Sequence, residues 1–208
     1  MVDATLLLFA QSVLIGLSIA APVGPIGLLV IQRTLQRGHG IGLATGMGAA
    51  VADAIYGAVG AYGVGGVIRV LQGARLPLAL AGGAFMLWLA WRTWVAAPPV
   101  NAAEVRRDAR GLLGAFTGTF LLTLSNPATI FSFIAIFGTL GARGPVASPA
   151  WMVAGVLLGS ALWWLLLCSG VGVLRQRFDT RWQRRVNRLS ALMLAAFALW
   201  QWAGLATR

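Results

Sequence analysis

Long apolar runs separated by short polar connectors dominate the hydropathy pattern of this chain. Six runs reach or approach the roughly 20 residues that a helix needs to cross a hydrocarbon core about 30 Å thick. They cover residues 5–31, 41–64, 76–95, 112–140, 151–173 and 189–206. This pattern predicts an all-α integral membrane protein with six transmembrane helices.

The first and fourth runs are longer than one straight span requires. A continuous helix over either run would extend roughly 40 Å at about 1.5 Å per residue. Both runs contain residues that interrupt a helix, Pro22 and Pro25 in the first and Pro127 in the fourth, because proline removes a backbone donor and clashes with the preceding turn. We therefore predict that the first helix of each half is broken at proline.

Three spans in each half make the second half enter the membrane from the opposite side, which predicts two inverted three-helix repeats. The chain is one transmembrane domain over 1–208, with repeat 1 over 4–95 and repeat 2 over 111–208. The proline-rich connector over 96–110 is the predicted hinge. The first apolar run has Asp3 where a signal peptide would be basic, so we interpret it as a spanning helix.

Composition supports the membrane assignment, because 59% of the 208 residues are apolar and only 10% are charged, against about 25% charged in soluble domains. The net charge of +11 comes from sixteen arginines. They lie in connectors between apolar runs and not on one polar face, so orientation in the membrane explains them better than nucleic-acid binding, which we do not expect.

Twelve arginines fall in alternate connectors and four in the others. The rule that positive connectors stay inside then places both termini outside the cytoplasm, in the bacterial inner membrane. The twelve are Arg33, Arg37, Arg92, Arg106, Arg107, Arg110, Arg175, Arg177, Arg181, Arg184, Arg185 and Arg188. They would face the anionic cytoplasmic leaflet. The connector over 174–188 is either a short amphipathic helix on that leaflet or a plain basic anchor.

Asp53 is the only acidic residue that must lie deep in an apolar run. A charged side chain there costs about 3 kcal/mol on insertion scales, and such residues face the bundle interior. Small residues at helical spacing, among them Gly46, Ala50 and Gly57, predict that Asp53 points into a tight helix interface. It is either a proton-coupling carboxylate, a partner for a substrate ammonium, or a structural carboxyl hydrogen-bonded across helices, for example to Tyr56 or a free backbone N–H.

The two helix breaks are the candidate binding site. Backbone N–H groups at a new helix start suit a carboxylate, and unwound carbonyls suit an ammonium, so an amino acid zwitterion satisfies both. The polar residues near the second break could equally serve the backbone that proline disrupts. The candidate substrate-binding residues are Pro22, Gly24, Pro25, Tyr56, Ser125, Asn126, Pro127 and Thr129.

Cys168 and His39 are each the only residue of their type. A single cysteine cannot form a disulfide within the chain, and one cysteine with one histidine cannot form a clustered metal site. We therefore expect no cofactor and no metal. Trp163 and Trp164 lie near the middle of the fifth run, where they either line a cavity or pack against other helices. The sequence leaves open whether the unit is a monomer or a homodimer.

Taken together, the breaks, the acid and their order resemble the lysine exporter (LysE/RhtB-type) translocators over nearly the whole chain. Members of that family commonly carry a Pro-Gly-Pro-like break, a Gly-Asp pair in the second helix and an Asn-Pro pair in the fourth. Here Val23 separates the first proline from the glycine, and Ala52 stands before the acid, which leaves the substrate open. The matching segments are Pro22-Val23-Gly24-Pro25, Gln32-Arg33-Thr34-Leu35-Gln36-Arg37-Gly38, Asp53 and Asn126-Pro127.

The resemblance implies six spans and export of amino acids or related small metabolites by exchange with protons. The broken helices and Asp53 indicate alternating access, in which one half rocks against the other around a site at the membrane midplane. A cadmium-type heavy-metal exporter of the same superfamily is the alternative, but soft cations need thiolate or imidazole clusters that this chain lacks. An intramembrane enzyme is a third reading. An aspartyl protease would need a second deep acid beside Asp53, so we expect no enzymatic activity.

Overall fold

The computed structural model describes residues 2–22, 24–62, 73, 75–95, 109–126, 129–130, 132–133, 136, 148–174 and 180–206. These residues form helices and no strand, which confirms the predicted all-α class. The long helices are α1 (Val2–Ala20), α2 (Pro25–Arg37), α3 (His39–Ala61), α4 (Arg75–Val95), α5 (Ala109–Leu124), α6 (Pro149–Leu174) and α7 (Thr180–Ala206).

Two helices in the described part of the chain are long and apolar enough to cross a membrane. They are α3, with 23 residues and a mean hydropathy of 1.3, and 25 residues of α6, with a mean hydropathy of 2.0. At about 1.5 Å per residue both exceed the hydrocarbon thickness. A third crossing is present if α1 and α2 form one span. Helices α4, α5 and α7 overlap the other predicted runs, whose crossing stays a prediction.

The predicted break in the first run is a sharp turn. Helix α1 ends at Ala20, α2 begins at Pro25, and the two axes differ by 80°. Gly24 has an extended backbone, and proline at the first helical position loses no hydrogen bond because that N–H has no partner inside the helix. The interruption predicted from the prolines is therefore confirmed, and α2 runs nearly perpendicular to α1.

A second interruption follows α5, at the position that the sequence predicts. The Ser125 N–H still donates to the Leu121 carbonyl at 2.9 Å, but Ser125 and Asn126 are not helical. The Asn126 carbonyl then accepts from the Ile130 N–H at 3.2 Å, so helical bonding resumes beyond the break. Pro127 lies outside the described residues.

Close backbone contacts hold the helices together, and glycine makes them possible. Helix α1 packs against α6, α3 packs against both α5 and α6, and α4 packs against α7. A Cβ on Gly159 of α6 would meet the backbone of Val13, and one on Gly48 of α3 would meet the backbone of Phe116. These interfaces therefore leave no room for a side chain at either glycine.

The basic connector over 174–188 is interpreted from the sequence either as a short amphipathic helix or as a plain anchor, and the structure differs from the first interpretation. Residues 180–188 belong to α7, which continues without interruption to Ala206. A separate short helix is therefore wrong for these nine residues, their position at the leaflet stays a prediction, and 175–179 lie outside the described part. The Arg188 guanidinium stacks over the Trp94 ring at 5.7 Å, which joins the start of α7 to the end of α4.

Candidate functional site

Asp53 lies in the interface between α3 and α6, and its side chain is only 3% exposed. The Ser160 hydroxyl donates to Asp53 Oδ2 at 2.8 Å, and Trp164 Nε1 donates to Ser160 Oγ at 3.2 Å. The prediction that Asp53 faces the bundle interior is confirmed. The carboxyl group is hydrogen-bonded across helices, as the structural interpretation expects, but among the described residues its partner is Ser160 and not Tyr56 or a backbone N–H.

This partner was missed because it depends on how closely α3 and α6 approach each other. Gly46 lies about two turns before Asp53 on the same face of α3. A Cβ at Gly46 would meet the side chain of Trp164. The absent side chain brings α6 close enough for Ser160 to reach the carboxyl group. Trp164 is buried in this interface and, with Trp163, packs among core residues of α3 and α6.

Tyr56 connects α3 to the second helix break. Its hydroxyl donates to the Leu124 carbonyl at 2.6 Å, at the last residue of α5. Its ring lies 5.5 Å from the ring of Phe133, beyond the break. Tyr56 therefore satisfies a carbonyl at a helix end, which would otherwise lack an intrahelical partner.

We expect Tyr56→Phe to lower the stability of the folded protein by about 1–2 kcal/mol, because it leaves the Leu124 carbonyl without its donor. Thermal unfolding in detergent measures this effect. Tyr62→Phe is the matched control, since the Tyr62 side chain is exposed. Equal Tm shifts in the two variants would contradict a specific role for the Tyr56 hydroxyl.

A cavity of about 780 Å³ lies between α2, α4 and α5. None of its described lining residues is acidic. Its apolar wall includes Leu29, Phe85 and Leu122. The polar lining consists of Gln32, Arg33, Gln36 and Arg37 from α2, Arg92 and Thr93 from α4, and Arg110, Thr117 and Ser125 from α5 and its end.

The structure separates the sequence-predicted site residues into different places. Ser125 alone among them lines the cavity. Pro22, Gly24 and Pro25 form the bend between α1 and α2. The buried Asn126 and the half-buried Thr129 lie at the second break. Asp53 and Tyr56 lie in helix interfaces, and Pro127 is outside the described residues.

Arg33 is the most enclosed cation of the cavity. Its NH1 group donates to Thr45 Oγ1 at 3.1 Å, to the Ala115 carbonyl at 3.2 Å and to Thr119 Oγ1 at 3.3 Å. These bonds tie α2 to α3 and α5. All three acceptors are neutral oxygens, so they orient the guanidinium without cancelling its charge.

The cavity arginines were counted from sequence only as orienting charges. The overlooked signal is spacing, because Gln32 and Gln36, and likewise Arg33 and Arg37, are four residues apart and share one face of α2. Gln32 is only 4% exposed, and its Oε1 accepts from Thr93 Oγ1 at 3.2 Å. A polar stripe at the end of an apolar run indicates a lined cavity.

A helical bundle with a right-angle break, a buried acid between apolar helices and a polar cavity is typical of membrane transport proteins. The chain matches the family model described as LysE type translocator over residues 17–201 and belongs to that family. The resemblance carried by the breaks and Asp53 is thus confirmed. Membership in this family places the chain among translocators.

Similar proteins cover most of the chain. The uncharacterized membrane protein YahN of Escherichia coli (strain K12) is 30% identical over 175 residues, covering 82% of this chain and 78% of YahN. The arginine exporter protein ArgO of Pectobacterium atrosepticum is 25% identical over 92% of this chain and 94% of its own. The putative amino acid efflux protein YcgF of Bacillus subtilis is 22% identical over 93% and 94%. No solved structure matches the chain.

Proposed function

We propose that this protein exports amino acids or related small metabolites across the bacterial cytoplasmic membrane in exchange for protons. The observation that carries the proposal is the buried Asp53, which is bonded to Ser160 across the α3–α6 interface. An acid inside a membrane bundle is costly, and it is typical of proton and ion pathways. The relatives named as exporters or efflux proteins support the direction of transport.

The pairing of helices supports two inverted repeats. The first half would contain α1 to α4 and the second half α5 to α7. In this arrangement α1 corresponds to α5, α3 to α6 and α4 to α7. The contact of α1 with α6 then has its counterpart in the contact of α5 with α3, and the contacts α3–α6 and α4–α7 each join two corresponding helices. The glycine contacts follow the same correspondence, since Gly159 meets Val13 before the first break and Gly48 meets Phe116 before the second.

Alternating access would occur by rocking one half against the other about the α3–α6 interface. A charged Asp53 carboxylate accepts the Ser160 hydrogen bond, and protonation adds a donor at the same place. That change alters the buried polar contact between Asp53 and Ser160, so proton binding can favour one arrangement of the halves. The arginine distribution supports an orientation in which the substrate loads from the cytoplasm, beside the anionic leaflet.

Counterflow in proteoliposomes tests export. Vesicles that contain the purified chain and an excess of one unlabelled amino acid should take up the same labelled amino acid transiently, and protein-free vesicles should not. A panel of basic, aliphatic, hydroxylated and acidic amino acids identifies the substrate. Transport of cadmium with no counterflow of any amino acid would support the metal-exporter alternative and refute the proposal. Cleavage of a peptide would support the enzyme reading.

A further inference from the structure

Among the described residues, the charged side chains that line the cavity between α2, α4 and α5 all carry positive charge. Four arginines line it, Arg33 half-buried and Arg37, Arg92 and Arg110 exposed. The described lining contains glutamine, threonine and serine but no carboxylate. A concave surface with low-dielectric walls concentrates a field of one sign. The described lining of the cavity therefore carries positive charge and attracts anions.

The contacts of Arg33 and Arg92 leave the charge of both side chains in place. Arg33 donates to neutral oxygens of Thr45, Thr119 and Ala115. The Arg92 guanidinium lies 5.0 Å from the centre of the Trp88 ring, a contact that is favourable but does not neutralise a cation. Both side chains are held toward the same cavity, where an incoming anion would meet two positioned guanidinium groups.

We propose that this cavity receives the transported molecule through its carboxylate groups and takes anionic amino acids, such as glutamate or aspartate, in preference to basic ones. This inference rests on the proposed export function and specifies its substrate class. Guanidinium groups bind carboxylates through two parallel hydrogen bonds. An amino acid with two carboxylates brings two such partners, while a basic side chain brings a further cation to a lining without a described acid.

The single ammonium of an anionic amino acid has neutral acceptors within the same cavity. The Thr117 and Ser125 hydroxyls line the α5 side, and Ser125 also lies at the second break. Hydroxyl oxygens accept from an ammonium without requiring a counter-charge. The lining thus matches several carboxylate oxygens and one ammonium.

Binding to the purified chain in neutral detergent tests the proposal. We expect glutamate to bind measurably by calorimetry and to raise Tm, and arginine to do neither. Arg92→Gln should weaken glutamate binding roughly 10- to 100-fold, because it removes a charge-assisted contact. The matched control is Arg188→Gln, since Arg188 also stacks on a tryptophan but does not line the cavity. Arg37→Gln replaces Arg92→Gln if that variant does not fold.

Three outcomes would overturn the proposal: arginine binding as tightly as glutamate, an unchanged glutamate affinity in the folded cavity variant, or stabilisation by phosphatidylglycerol but not by glutamate. The last result would assign the arginines to a lipid headgroup. Failure of the export function is distinguishable. Glutamate binding without counterflow of any amino acid would refute export alone, and counterflow of another amino acid without glutamate binding would refute the cavity proposal alone.

Discussion

Asp53→Asn is expected to abolish accumulation driven by a pH gradient while substrate counterflow survives. Asparagine has nearly the same shape as aspartate and can still accept the Ser160 hydrogen bond, so the α3–α6 interface should remain packed. It cannot take up or release a proton. Exchange of one substrate molecule for another needs no proton, whereas uphill movement does.

The measurement is uptake of labelled substrate into proteoliposomes, with and without an imposed pH gradient, in the same preparation. Asp108→Asn is the control, because it removes an acid from the predicted hinge and not from an apolar run. Wild-type accumulation in Asp53→Asn would remove this carboxyl group from proton coupling. Loss of both accumulation and counterflow, with Tm unchanged, would show that it acts in substrate movement itself.

Gly159→Leu and Gly48→Leu are each expected to eliminate most folded protein. A side chain at Gly159 meets the α1 backbone, and one at Gly48 meets the α5 backbone. A backbone cannot move aside as a flexible side chain can, so the helices must separate. Overpacking alone typically costs about 1–3 kcal/mol, and separating the helices also loses the contacts along the interface.

Gly170→Leu in α6 and Gly114→Leu in α5 are the matched controls, because a Cβ at either position meets no atom nearby. Size-exclusion chromatography in detergent gives the folded fraction, and thermal unfolding gives its stability. If the two halves are structural repeats, neither Gly159 nor Gly48 should tolerate a larger side chain. Normal folding of Gly48→Leu beside failure of Gly159→Leu would argue against equivalent interfaces.

The interruptions and the buried acid were predictable from sequence because each depends on local chemistry. A helix cannot continue unbroken through proline, because the ring clashes with the preceding turn and the backbone N–H is missing, which placed the breaks near Pro25 and Asn126. An acid within an apolar run has no favourable place except the bundle interior, and the small residues around Asp53 showed which face it occupies. These rules need no knowledge of neighbouring helices.

The cavity and the partner of Asp53 were not predictable in the same way, because both depend on which helices meet. Ser160 lies more than a hundred positions from Asp53 and has no sequence feature that distinguishes it. Arg33 and Arg92 fitted the rule for orienting charges, and only the packing of α2 beside α4 brings them to one cavity. The 80° bend is a further example, since proline predicts an interruption but not its angle.

The central claim is that substrate export is coupled to protons through Asp53. The most direct test is the proton flux that accompanies transport, followed with a pH-sensitive dye trapped in proteoliposomes while substrate is added outside. We predict a proton movement opposite to that of the substrate, dependent on the wild-type protein and absent in Asp53→Asn. Substrate movement by the wild-type protein with no change in internal pH would contradict the claim.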